Sequence, residues 1–117
     1  MVGVMQRGEV WVASFRPWRG KEVGKVRPCV IMQVDWLTSQ NFDAVLALPL
    51  TSKLLPGTDS LRVEIAPRER LKKTSWVMSE KLRALDRSRF GPGPLARLTE
   101  EELAAIEQQL RAVLGML

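Results

Sequence analysis

The chain has 117 residues, with no histidine, no tyrosine, one cysteine and a formal net charge of +5. Those counts exclude a Ser-His-Asp triad, a Cys-His pair, a two-histidine acid–base site, a His-ligated metal, an internal disulfide and a cysteine-built zinc site. The length fits one domain over residues 1–117, and 45% hydrophobic residues suffice for a core.

Glu9–Phe15 alternates and is rich in β-formers, which predicts a strand. Cys29–Val34 reads as a buried strand, and Ala44–Leu48 as another, ended by Pro49. Short helical turns are expected at Trp36–Gln40 and Pro67–Leu71. Leu61–Ile65 alternates strictly, so one face should be buried, and Trp76–Met78 and Leu82–Leu85 make two further short strands. Pro56-Gly57 and Gly91-Pro-Gly-Pro94 are turn signals. Thr99 opens a helix: its hydroxyl can cap the backbone, and Glu102 three residues on completes a capping box. Leu103, Ile106, Leu110 and Val113 recur at helical spacing with Leu114 beside them, and Gly115 stops the run. This stripe packs the helix onto a small sheet or a partner chain. Five to seven strands and a terminal helix predict a small, mainly antiparallel barrel.

No apolar run approaches the roughly 20 residues of a membrane helix, and no signal peptide opens the chain. With a single cysteine, the expected location is the reducing cytoplasm. Charge is uneven along the chain. Residues 100–117 carry a net of −3, which leaves +8 on residues 1–99. A body of that charge suggests a polyanionic partner; surface solubility is the plainer alternative.

Three stretches could carry chemistry. Phe15 to Pro28 joins the first two strands and holds Arg16, Arg19, Lys21, Lys25 and Arg27 against Glu22 alone, with Trp18 as a flat stacking surface. Cations hold phosphates and aromatics stack unpaired bases, so the stretch suits single-stranded nucleic acid; an exposed hairpin loop is the other reading. Arg27, at the loop's end before Pro28, is rigid enough to hold a phosphate through two parallel N–H donors, or to serve as a strand-end ion pair. Thr51, Ser52 and Lys53 follow a strand and can donate to a phosphate, or simply form a polar turn. Ser79–Arg89 includes Glu80, Lys81 and Arg83 in a charge-rich ribbon, most of which reads as a solvated face. Cys29 reads as a small buried hydrophobe.

Taken together, these stretches resemble the MazF/PemK/Kid family of toxin endoribonucleases. Arg7-Gly-Glu-Val-Trp11 resembles the family's opening strand, Gly20–Pro28 its glycine-rich loop ending in Arg-Pro, Pro49-Leu-Thr-Ser52 its hydroxyl motif, and Ser79–Arg89 its late strand pair. The resemblance implies an SH3-like small antiparallel barrel with a C-terminal helix, of the plasmid maintenance toxin or CcdB-like type, forming a homodimer. It implies sequence-specific cleavage of single-stranded RNA by attack of a ribose 2′-OH, with no cofactor and no metal, and a cognate MazE-like antitoxin that covers the groove. Carried over by position, Arg27, Thr51 and Glu22 are catalytic. Ser52 and Glu80 fall on positions that line the family's RNA groove, and Trp18, Arg19, Lys21, Lys25, Lys53, Lys81 and Arg83 are the further residues expected to bind RNA. Val23, Lys25, Lys81 and Met78 depart from residues common in the family, in or beside the groove where base recognition is set. A non-catalytic toxin of the gyrase-poison type, or an RNA-binding module, on the same barrel is the alternative. A gyrase poison would place an aromatic at the chain's end, and this chain ends Leu114-Gly-Met-Leu117.

Overall fold

Three neighbouring strands form the middle of the molecule: β1 (Glu9–Ser14), β2 (Val26–Ile31) and β3 (Ala44–Thr51). The computed structural model describes residues 4–16, 26–40 and 42–116. With β4 (Arg62–Ile65), β5 (Ser75–Met78), β6 (Arg83–Asp86) and β7 (Ala96–Arg97), the strands make one antiparallel sheet in the order β4-β5-β3-β2-β1-β7, and β6 pairs with β3.

The period-two alternation of these strands sorts their side chains between two cores. Val10, Val30, Leu48 and Leu50 enter one cluster. Trp11, Ala13, Cys29, Ile31, Val45 and Ala47 enter the other. Strands buried on both faces need apolar residues throughout, which is why the β2 and β3 runs are continuous instead of alternating.

Two prolines show where the sheet changes partners. The sequence predicts that Pro49 ends its strand, but β3 continues through it to Thr51. Residues Ala44–Ala47 pair with β6, and Leu50–Thr51 pair with β5. Pro49 lies between the two partners, where its missing N–H breaks no ladder on that side. Likewise β2 begins at Val26, ahead of the expected Cys29, and ends at Ile31, short of Val34. Before Cys29 it pairs with β1 alone, so Pro28 is tolerated there. Arg27 is therefore a strand residue opposite Ala13, and not the last residue of a loop.

The terminal helix α2 (Glu100–Val113) follows the expected design. Glu102 N–H donates to Thr99 Oγ1 at 3.1 Å, Thr99 N–H donates to Glu102 Oε1 at 2.8 Å, and Gly115 takes φ +72° after the last turn. Ile106 is fully buried, and Leu103 and Leu110 pack on the first core, whereas Val113 and Leu114 are exposed. A four-residue helix α1 (Asp35–Thr38) stands near the expected turn at 36–40.

The predicted helical turn at 67–71 is absent. Residues 66–74 instead form a strap between β4 and β5, folded by reciprocal bonds from Arg68 N–H to Leu71 O (2.9 Å) and Leu71 N–H to Arg68 O (2.8 Å). Arg70 N–H then reaches Leu95 O at 2.8 Å, just before β7. Because β4 and β7 are the opposite ends of the sheet order, the strap ties the two edges together and curls the sheet into a barrel-like shell.

Candidate active site

A cavity of about 530 Å³ opens between the start of β2, the end of β3 and the strap. Arg27, Thr51, Ser52 and Lys53 share its wall, so residues from two separate stretches of sequence are brought together. The sheet register makes this possible: β2 and β3 are direct neighbours, with Cys29 opposite Pro49, so the residues flanking that pair come close.

Arg27 holds the most informative position. Its Nη1 donates to Leu50 O at 3.4 Å. Its Nε is buried and has no hydrogen-bond partner among the described residues. Burial draws its pKa below the ordinary guanidinium value. A buried donor left unpaired costs about 1–3 kcal/mol, and more on a charged group, so its retention calls for a ligand. The Thr51 hydroxyl is held by the main chain of Lys53, accepting its N–H at 3.2 Å and donating to its carbonyl at 3.3 Å. That arrangement fixes Oγ1 at the cavity wall and lets the hydroxyl proton be redirected to an incoming acceptor.

Three further cations line the cavity: Arg70, Lys72 and Lys73, all from the strap. The Arg70-Leu-Lys-Lys73 run is visible in the sequence as a charge cluster. Reading 67–71 as a helical turn gave no reason to bring it near Arg27. The other expected site residues lie elsewhere. Glu80 binds Arg62 Nη1 at 2.7 Å. Arg83 donates to Phe15 O at 2.9 Å and sits over the Phe15 ring, 5.9 Å from its centroid. Lys81, between them in the turn before β6, does not line the cavity. Trp18, Arg19, Lys21, Glu22 and Lys25 lie outside the described residues.

Cys29 is fully buried beside Trp11 O, and burial pushes its thiol up to about 12. It stays a neutral thiol at any ordinary pH and serves as a core residue.

Fold and cavity together define a small curled β-shell with a capped terminal helix and a cation-lined pocket at the β2–β3 strand ends. Residues 6–114 match the family model described as "PemK-like, MazF-like toxin of type II toxin-antitoxin system", and the chain belongs to that family. The MazF of Deinococcus radiodurans is similar over 97% of this chain and 98% of its own, with 26% identity and a TM-score of 0.81. A MazE–MazF structure from the same organism gives 26% identity and a TM-score of 0.74 over 97% of this chain and 98% of the other. An endoribonuclease in complex with its cognate antitoxin, from Mycobacterial species, has the same fold at 18% identity, with a TM-score of 0.73 over 98% of this chain and 97% of the other. Among the described residues no helix is long and apolar enough to cross a membrane.

Proposed function

We propose that this chain is a sequence-specific endoribonuclease toxin. It cleaves single-stranded RNA without a metal, leaves 2′,3′-cyclic phosphate and 5′-OH ends, and is blocked by a cognate MazE-like antitoxin. It acts in the cytoplasm as a homodimer of one toxin domain spanning residues 1–117. The observation that carries this reading is the buried, unpartnered Nε of Arg27 beside Thr51, in a cavity whose described lining has cations and no carboxylate. Family membership supports it, as do an antitoxin-bound endoribonuclease and a MazE–MazF assembly on the same fold.

RNA supplies its own nucleophile, so the protein needs to position and stabilise. The ribose 2′-OH attacks the adjacent phosphorus, its proton passes to a base, and the P–O5′ bond breaks as the 5′-oxygen takes up a proton. Arg27 directs parallel N–H donors at the non-bridging oxygens of the phosphorane. Thr51 turns its hydroxyl proton from the Lys53 carbonyl to a phosphoryl oxygen. Glu22, outside the described residues, is the carboxylate in the adjoining stretch suited to orient or deprotonate the 2′-OH.

The test is incubation of purified protein with a long transcript in chelator, followed by sequencing of the cut ends. Discrete cuts with 5′-OH ends are expected. RNA that is bound and left intact contradicts the enzyme and supports a non-catalytic binder on the same barrel.

A further inference from the structure

Away from the cavity, some arginines of the described residues, Arg83, Arg87 and Arg89 among them, bond to backbone carbonyls, and others pair with carboxylates. Arg7, Arg62, Arg68 and Arg97 each face a carboxylate: Glu107, Glu80, Glu102 and Glu9. In the cavity, Arg27, Lys53, Arg70, Lys72 and Lys73 converge with no acidic residue in the described lining. Three of them bond only to backbone carbonyls: Arg27 to Leu50 O (3.4 Å), Arg70 to Pro94 O (3.3 Å) and Lys72 to Glu69 O (3.1 Å). A carbonyl fixes a cation's place without neutralising it. Gathered like charges repel, and a polyanion relieves that repulsion.

The strap that presents Arg70, Lys72 and Lys73 is built to hold them still. Arg68 makes a bidentate pair with Glu102, 2.6 Å on each arm, anchoring the strap to the first turn of α2. Leu71 is buried in the first core, so the lysines leave directly from a fixed point. Glu69, the strap's one acid, takes φ +49°, and its Oε1 accepts the Arg97 N–H at 3.1 Å. Its carboxylate is thereby engaged on β7. The cavity, at about 530 Å³, holds far more than one phosphate group.

We infer that Arg70, Lys72 and Lys73 form a second phosphate subsite, which grips a phosphodiester of the RNA strand next to the one at Arg27. The inference rests on the endoribonuclease reading and adds a binding residue set to it. Arg27 and Thr51 act on the reacting phosphate, and the strap sets how the strand is threaded past them. Single-stranded RNA is the favoured occupant because a strand delivers evenly spaced phosphates to both walls of one cavity.

The experiment compares wild type, Lys72→Ala/Lys73→Ala, Lys72→Arg/Lys73→Arg and an outside control, Arg111→Ala. Binding is measured on RNA carrying a 2′-deoxy nucleotide at the cut position, across a salt series, and cleavage is measured on the all-ribose strand. Loss of one phosphate contact flattens the slope of log K against log salt by about 0.7. The alanine pair should show this, with KM raised about tenfold and kcat unchanged. The arginine pair should keep the wild-type slope, and so should Arg111→Ala. A dinucleotide, which has one phosphate, should be cut equally by wild type and the alanine pair. If wild type cuts RNA while the alanine pair keeps its salt slope, the subsite is wrong and the nuclease reading stands. Equal losses on dinucleotide and long RNA also overturn the subsite. Wild type that leaves RNA uncut overturns the nuclease reading and the subsite with it.

Discussion

Arg27 combines three properties that rarely coincide: a strand backbone that cannot swing, a buried Nε with no acceptor, and no carboxylate among its described neighbours. Arg68, by contrast, is neutralised by Glu102. Arg27 instead keeps its donors for something that arrives. Replacing it with alanine should lower kcat for RNA cleavage by about 10²–10³-fold while circular dichroism stays native. Arg27→Lys should not restore the rate, because an ammonium cannot make two parallel bonds in the fork geometry. A lysine variant as fast as wild type would contradict bidentate stabilisation. Arg27 and Thr51 were singled out in the sequence by residue type and by the family resemblance, and the fold brings the two to one cavity. Arg70, Lys72 and Lys73 were not legible there, because their place depends on a strap whose fold is fixed by distant partners, Leu95, Arg97 and Glu102.

Among the elements, α2 was the most legible, since capping and the 3.6-residue period are local. Its Glu102 does two jobs: it completes the capping box and receives Arg68. Burial raises the Glu102 pKa, but the Arg68 guanidinium and the Thr99 N–H and hydroxyl outweigh that and hold it below its ordinary 4.5. A carboxylate lowered in the folded state stabilises the protein above its unfolded pKa, and that contribution is lost as pH falls through the folded value. Glu102→Gln should therefore cost about 1–3 kcal/mol at neutral pH. Measured by denaturant titration, its disadvantage should shrink on acidification below 4.5. A gap that stays constant from neutral to acid pH would show that the charge on Glu102 is not the stabilising feature. The strand ends were less legible because Pro28 and Pro49 look like breakers locally, and only the pairing map reveals that each sits where a ladder bond is not needed. The two-residue β7 gave no periodicity to read; it exists because Glu9 and Val10 offer it an edge.

For the molecule as a whole, the missing histidine and the uneven charge fit one picture. The basic body contributes the cavity's cations, while the acidic C-terminal segment largely caps and braces a helix. No imidazole exists to titrate, so the pH–rate profile of RNA cleavage should lack a step near 6.5. A sharp step there would have to come from a shifted carboxylate and would make that group the general base. The curled sheet was legible in outline from strand count and the terminal helix. Its closure was not, because the strap joins edges that are far apart in sequence.

In the proposed mechanism the substrate brings its own nucleophile and the protein stabilises the phosphorane. Cleavage of an RNA with a single 2′-deoxy substitution at the mapped cut position, in chelator, tests this most directly. Cutting at that bond should stop while binding persists, and the all-ribose strand should yield a 2′,3′-cyclic phosphate and a 5′-OH. Continued cutting at the deoxy position would mean that water, and not the ribose hydroxyl, attacks phosphorus.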